Sequence, residues 1–211
     1  MTVHDLASLL AVDERLLRAV LIVECGTDAL PPDGWRPTIR VEAHKVLRLV
    51  AAGQGRRIPG PDVGMRIREL ATGRVWGGER GQEPPRPWAD LGRERTVVHE
   101  VELDGAWVAY HGQQSLEYDA LDVADAVVGP EAATACTSWG MAQVMGVPAL
   151  GLTWQEIRAA AAVGGGLGLM ARFFEHVNPK ALDALRRQDL GAFALAYNGD
   201  PAYAARIRAK L

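Results

Sequence analysis

The chain has 211 residues, of which 48% are hydrophobic and 23% charged, and its formal net charge is −3. This composition predicts one globular domain, or one domain that carries an insertion, with enough apolar residues to fill a core. The slight negative charge and the lack of a long basic run argue against nucleic-acid binding. No apolar run reaches the length of a transmembrane helix, so we expect no stable membrane insertion.

Few residues of this sequence indicate redox or metal chemistry. The two cysteines, Cys25 and Cys136, are too few for a disulfide scaffold and lack the spacing of zinc ligands. The five histidines form no His-x-x-x-His pair, so a metal-dependent amidase or peptidase is poorly supported. We therefore expect a protein without a metal site or another cofactor.

The first two predicted helices lead to an isolated glutamate. Thr2 and Asp5 approximate a capping box for a short helix, and Asp13 caps a second helix with the apolar spacing of a core element. Glu24 lies near the end of this second helix, shortly before Gly26, a typical helix stop. Its stem is expected in the core and its carboxyl group at the surface. Partial desolvation of this kind raises a carboxyl pKa and provides a general acid near neutral pH.

The middle of the chain contains the predicted β-structure. A short strand is expected at residues 39–41 and a helix after it, followed by a stretch rich in Gly, Pro and Arg. Within this stretch, residues 63–70 are a short helical candidate. Asp104-Gly105, between β-forming residues from Thr96 to Tyr110, predicts a β-hairpin. The aromatic residues here predict either a saccharide-binding surface or a small core: Trp76, Trp88, Trp107 and Tyr110.

The second half of the chain is predicted to be helical. Ser115 and Ser138 are candidate helix N-caps, and Thr153 with Glu156 forms a capping box. The glycine run at 164–168 has no preceding strand and no Lys-Ser/Thr pair, so we interpret it as a loop rather than a phosphate site. The predicted fold class is mainly α (α+β), a helical domain with a small β-hairpin element inserted in the middle.

Four short motifs follow one another along the chain. Val-Glu-Cys-Gly ends at residue 26, and Arg-Pro-Thr-Ile-Arg-Val-Glu-Ala-His-Lys occupies residues 36–45. Ser-Trp-Gly-Met-Ala-Gln-Val-Met-Gly begins at residue 138, and Tyr-Asn-Gly stands at 197–199. In this order they resemble the phage and prophage N-acetylmuramidase (endolysin) family, which has a lysozyme-like fold.

The resemblance covers most of the chain and implies that residues 1–211 form a single N-acetylmuramidase domain. Three positions depart from the family's usual residues: Cys25 replaces serine, Val41 replaces phenylalanine and Ala43 replaces arginine. The stretch at about 55–110 is also longer than the family's usual connection. We therefore treat it as an insertion in the domain.

Two glutamates are the catalytic candidates that the resemblance implies. Cleavage of a glycosidic bond needs an acid that protonates the leaving oxygen and a group that stabilises the oxocarbenium-like centre. Glu24 suits the first role, and its alternative is a local cap or surface pair. Glu42 is the candidate for the second role, and its alternative is a structural partner that holds His44 or a backbone amide. His44 is expected to orient its neighbours by hydrogen bonding in the substrate-binding region.

The remaining substrate-binding candidates lie in the last two motifs. Trp139 offers a flat apolar face, and Gln143 can hydrogen-bond an N-acetyl group or position water; Ser138 belongs to the same cleft segment. Tyr197 can reach the catalytic carboxylate, and Asn198 can bind a sugar. The alternatives are a core position for Trp139 and a helix C-cap for the Tyr-Asn-Gly motif.

The resemblance implies a lysozyme-type muramidase that hydrolyses the β-1,4 bond between N-acetylmuramic acid and N-acetylglucosamine in bacterial peptidoglycan. Two alternatives stay open: a lytic transglycosylase that gives 1,6-anhydro products, and a catalytically inactive wall-binding or virion module. Asp5, Asp13 and Glu14 near the start are unlike a signal peptide. We therefore expect the protein in the host cytoplasm, from which it acts on the cell wall after release. We also expect a monomer.

Limited proteolysis of the native protein is expected to cut first between about Arg56 and Arg95. The Gly, Pro and Arg content of this segment predicts few buried apolar contacts per residue, so local opening costs little free energy. Mass spectrometry of the first fragments locates the cuts. Early cuts inside the helix that carries Glu24 would contradict the prediction.

Overall fold

The computed structural model describes residues 1–25, 38–53, 64–77 and 96–211. The helices are α1 (Val3–Leu10), α2 (Glu14–Cys25), α3 (Ala43–Ala51), α4 (Gln114–Val128), α5 (Pro130–Ala135), α6 (Trp154–Ala162), α7 (Leu167–Arg172), α8 (Pro179–Arg186), α9 (Leu190–Tyr197) and α10 (Tyr203–Arg208). The strands are β1 (Ile39–Val41), β2 (Met65–Glu69), β3 (Val75–Trp76), β4 (Val97–Leu103), β5 (Ala106–Ala109), β6 (Thr137–Trp139) and β7 (Val144–Met145). Helices thus dominate and the sheets are small, which confirms the predicted fold class.

The chain divides into two compact units. The terminal unit consists of Met1–Thr38 and Trp139–Leu211, and the central unit consists of Ile39–Ser138. The boundary falls within β6, whose neighbour in the central unit is β1. The assignment of the whole chain to one domain stays a prediction.

The first helices of the terminal unit begin where the sequence predicts. Thr2 and Asp5 form a full capping box, with Asp5 N donating to Thr2 Oγ1 at 3.1 Å and Thr2 N donating to Asp5 Oδ2 at 2.7 Å. Asp13 accepts a bond from Leu16 N at 2.8 Å and so caps α2. Across the described ranges, no single helix is long and apolar enough to cross a membrane. Trp154–Ala162 and Gly164–Val177 reach that length and hydropathy only when the two are taken together, and the chain bends by 110° between them.

The core of the terminal unit is built from aliphatic and aromatic residues of several helices. Its fully buried members include Leu6, Leu10, Leu17, Leu21, Phe174, Phe193 and Tyr203. α10 packs against both α2 and α9. The last helix of the chain is thereby fixed beside the helix that carries Glu24.

A glycine contact in the terminal unit fixes the turn that follows β6. Gly140 has a φ of 73°, and Met141 N donates to the carbonyl oxygen of Gly165 at 2.8 Å. A Cβ on Gly140 would lie 2.7 Å from that oxygen and 2.9 Å from Gly166 Cα. The glycine run at 164–168 therefore has a packing role. It is only partly a loop, because Gly164–Gly166 form a 3₁₀ turn and Gly168 lies in α7.

An antiparallel sheet of four strands forms much of the central unit, in the order β3-β2-β4-β5. The predicted hairpin is confirmed, with Asp104 and Gly105 at φ values of 51° and 79° between β4 and β5. The helical candidate at residues 63–70 is wrong, because Met65–Glu69 is a strand. Met65 and Ile67 are buried there, whereas the alternating residues Arg66 and Arg68 bind Glu100 of β4. A period of two therefore prevails over the helical spacing.

The aromatic residues of the insertion are mainly core. Trp76 is 3% exposed and Tyr110 is fully buried. The guanidinium of Arg66 covers the ring of Trp107 at 4.1 Å from its centroid. Trp88 lies outside the described residues. The burial and contacts of Trp76, Trp107 and Tyr110 therefore support the second interpretation, a small core of the insertion, over a saccharide-binding surface.

Two predicted N-caps are wrong. α4 begins at Gln114, and its N-cap is Gln113, two residues before the predicted cap Ser115. Ser138 does not begin a helix, because it lies in strand β6. Directly before this strand, Cys136 O accepts a hydrogen bond from Glu42 N at 3.0 Å. The backbone before Ser138 is therefore paired with the segment that follows β1, and it does not begin a helix.

Gly140→Ala is expected to lower the free energy of unfolding by about 2–4 kcal/mol, because the left-handed backbone and the contact with Gly165 both oppose a side chain. Gly199→Ala is the control: its φ is 73° but a Cβ would meet nothing within 4 Å. It should cost only about 1 kcal/mol. Denaturant melts of both variants measure the difference, and equal losses would show that the contact is unimportant.

Candidate active site

Glu24 lies in the last turn of α2, and its side chain is half-buried. The hydroxyl of Tyr203, at the start of α10, donates a hydrogen bond to Glu24 Oε1. Burial raises the pKa of Glu24 above the usual carboxyl range, while the Tyr203 bond and the positive charge of Arg206 oppose that rise. The net result is a carboxyl group that retains its proton at higher pH than an exposed glutamate does.

A cluster of aromatic rings holds Tyr203 in place. Its ring stacks on Tyr197 at a centroid distance of 5.9 Å, and Tyr197 stacks on Phe193 at 5.0 Å. Phe173 meets Tyr197 edge-on at 5.7 Å. Burial raises the pKa of Tyr203 and of Tyr197 well above the ordinary phenol range. Both hydroxyls therefore stay protonated and act as hydrogen-bond donors.

The turn between β6 and β7 is bound to the helix that carries Glu24 and to α9. Tyr197 Oη donates to Ala142 O at 3.1 Å, and Cys25 Sγ donates to Met141 O at 3.5 Å. Gln143 has a φ of 50°, and its Nε2 donates to Gly140 O at 3.0 Å within the same turn. The Tyr197 hydroxyl thus fixes this turn, whereas Tyr203 provides the bond to the carboxylate.

Two substrate-binding candidates of the terminal unit have contrasting exposure. Trp139 is 2% exposed, with the guanidinium of Arg158 at 5.6 Å from its ring centroid, so its surroundings are those of a core residue. Asn198 is exposed at the end of α9. Gly199 follows with a φ of 73°, and its N–H bonds to Ala194 O at 3.1 Å. The Tyr-Asn-Gly motif therefore forms the predicted helix C-cap.

The sequence candidates divide between the two units. The terminal unit contains Glu24, Trp139, Gln143, Tyr197 and Asn198, and the central unit contains Glu42, His44 and Ser138. Sequence reasoning missed Tyr203, which binds Glu24. Tyr203 belongs to no motif, and its only signal is the helical spacing that it shares with the buried residue Ile207.

Glu42 lies between β1 and α3 with 14% of its side chain exposed. Its Oε1 is 3.4 Å from Arg40 Nε, and its Oε2 is 3.4 Å from His44 Nδ1. The Nδ1 atom of His44 is buried and has no hydrogen-bond partner. Burial raises the pKa of Glu42 and lowers that of His44 to about 4. Ser138 is 6% exposed in the same unit.

Two further histidines lie beside Glu42. The rings of His99 and His111 are 4.1 Å apart between centroids, and His111 Nδ1 lies 2.9 Å from Oε1 of the buried Glu117. Glu42, His99 and His111 each offer one ligand atom, and the three atoms lie within 4.8 Å of one another. These side chains could hold a metal ion. The sequence search missed the group because its members are far apart along the chain.

Comparison with known proteins identifies the family of the chain and a similar fold. The N-acetylmuramidase family model matches residues 13–210. The chain belongs to this family. Its fold is similar to that in the crystal structure of the Burkholderia AP3 phage endolysin, with a TM-score of 0.60 and 24% sequence identity. The match covers 99% of this chain and 66% of that one, so this chain spans about two thirds of the endolysin. No curated protein matches the sequence.

Tyr203→Phe is expected to shift the alkaline limb of the pH–rate profile to higher pH. The lost hydrogen bond favours the ionised form of Glu24, so its removal raises the pKa and keeps the acid protonated over a wider range. The profile of kcat/KM on purified cell walls measures this shift. Tyr197→Phe, which loses a bond to Ala142 instead, should leave the limb near its wild-type pH. An unchanged limb in Tyr203→Phe would contradict the assignment.

Proposed function

We propose that the protein is a muramidase that hydrolyses the β-1,4 bond between N-acetylmuramic acid and N-acetylglucosamine, with Glu24 as the general acid. Peptidoglycan is the substrate, which the protein reaches after release from the cytoplasm of the host cell. The half-buried carboxyl group of Glu24, bonded by Tyr203, is the observation that carries this proposal. Family membership supports the same class of substrate.

The environment of Glu24 suits both states that an acid catalyst passes through. Before bond cleavage, burial favours the protonated carboxyl group that donates to the leaving oxygen. After transfer, the hydrogen bond from Tyr203 and the charge of Arg206 stabilise the carboxylate. The opposing effects on the pKa thus favour both holding and releasing the proton, as a general acid must do.

Sugar binding is proposed for the polar groups near this carboxyl group. Asn198 is exposed beside the aromatic cluster, and Gln143 lies in the turn that Tyr197 fixes. Trp139 and Ser138 are buried, so for these two residues we propose packing roles in their own units rather than sugar contact. For Glu42 and His44 we propose the structural role, because the carboxylate of Glu42 is surrounded by histidine side chains of its own unit.

Glu24→Gln is expected to leave a folded protein that clears peptidoglycan at least about a hundredfold more slowly. The amide matches the carboxyl group in size and can still accept the Tyr203 bond, but it has no proton to transfer. Because the folded-state pKa of Glu24 lies above its unfolded value, ionisation reduces stability as the pH rises through that interval. Glutamine removes this loss, so the melting temperature at neutral pH should equal or exceed that of the wild type.

Glu175→Gln is the matched control, because Glu175 is an exposed glutamate of the same unit. It should clear cell walls at the wild-type rate. Wild-type clearing by a well-folded Glu24→Gln variant would show that the acid lies elsewhere.

The nature of the product separates hydrolysis from transglycosylation. Mass spectrometry of the released muropeptides should find reducing ends. A loss of one water would instead identify 1,6-anhydro products and a lytic transglycosylase. Binding to cell walls without any clearing, in a zymogram of the wild-type protein, would identify an inactive wall-binding module.

A further inference from the structure

We propose that Glu42, His99 and His111 form a zinc-binding site in the central unit. The site goes beyond the proposed muramidase activity and involves none of the groups around Glu24. It rests on the position of three ligand atoms, on a carboxylate that orients one of the histidines, and on a backbone frame that holds all three segments.

The three side chains are the types that zinc prefers. Two imidazoles and one carboxylate leave a fourth position open, as in zinc sites with three protein ligands. Their ligand atoms lie within 4.8 Å of one another. Bond lengths near 2.1 Å in a tetrahedral site place ligand atoms about 3.4 Å apart. Small side-chain rotations therefore suffice to bring these atoms to their positions around an ion.

Glu117 orients the ring of His111. One of its carboxylate oxygens accepts Val41 N–H at 2.7 Å, and the other lies 2.9 Å from His111 Nδ1. In the tautomer that donates Nδ1–H to Glu117, the Nε2 atom of His111 carries the lone pair. This Nε2 atom is buried without a hydrogen-bond partner. A carboxylate behind a histidine is the usual outer shell of a zinc ligand, since it fixes the tautomer and increases the basicity of the coordinating nitrogen.

The backbone around Val41 holds the ligand-bearing segments together. Tyr110 Oη donates to Val41 O at 2.9 Å, next to His111, while Glu117 accepts the N–H of Val41. Tyr110 N also donates to His99 O at 3.2 Å. Glu42, directly after Val41, is therefore held beside both histidines by hydrogen bonds that exist without an ion.

Zinc titration of the chelator-treated full chain tests the site. Isothermal titration with zinc chloride at neutral pH should show one zinc ion per chain, and added zinc should raise the melting temperature. Metal analysis after dialysis checks the stoichiometry, and the visible spectrum of a cobalt-substituted sample reports tetrahedral coordination.

Three variants locate the ion. Glu42→Gln and His111→Gln should each weaken zinc binding at least about tenfold, and Glu117→Gln should weaken it about 10- to 100-fold by releasing the ring of His111. Circular dichroism verifies that each variant is folded, and a variant that fails to fold is replaced by the other two. None of these measurements depends on cell-wall clearing, so failure of the muramidase proposal leaves them unaffected.

His4→Gln is the control, because His4 and Glu14 form an exposed pair that could bind zinc weakly, with His4 Nδ1 2.8 Å from Glu14 Oε2. The variant should bind zinc like the wild type. The proposal is overturned if the wild-type chain binds no zinc. It is equally overturned if His4→Gln abolishes binding while the variants of the central unit retain it.

Discussion

The hydrogen bond from Tyr203 to Glu24 is the interaction on which the proposed acid role of Glu24 depends. Burial alone would make the carboxyl group a poor proton donor, because the carboxylate left behind would be strongly destabilised. The Tyr203 hydroxyl and the charge of Arg206 offset part of that cost. The proposed acid role of Glu24 therefore requires the packing of α10 against α2, and α10 is part of the candidate site.

Close backbone packing supplies the rest of this environment. The turn after β6 touches the glycine run before α7, where Gly140 and Gly166 approach more closely than side chains allow. The same turn presents the carbonyl oxygens of Met141 and Ala142 to Cys25 and Tyr197. The close contact between the glycines thus fixes the turn, and the turn places the carbonyl oxygens of Met141 and Ala142. Such coupling is expected of a rigid and densely packed interior.

In the central unit, hydrogen bonds to the backbone of Val41 hold the buried polar side chains in place. Val41 donates its N–H to Glu117 and accepts a bond from Tyr110 through its carbonyl oxygen. Buried carboxylate and imidazole groups gather around this backbone, although each would be costly to bury alone. Their mutual contacts, and a bound cation where one is present, reduce that cost.

Local sequence patterns determined the first two helices with their caps at Thr2 and Asp13, the Asp104-Gly105 hairpin and the glutamate at the end of α2. Spacing and capping act between residues close in the chain, so these features can be read from the sequence. Only the tertiary structure decided which side chains meet. It selected Tyr203 rather than Tyr197 as the partner of Glu24, made β2 a strand, and brought Glu42 to two distant histidines. These outcomes depend on packing between segments far apart in sequence, where burial and hydrogen bonding outweigh local propensity.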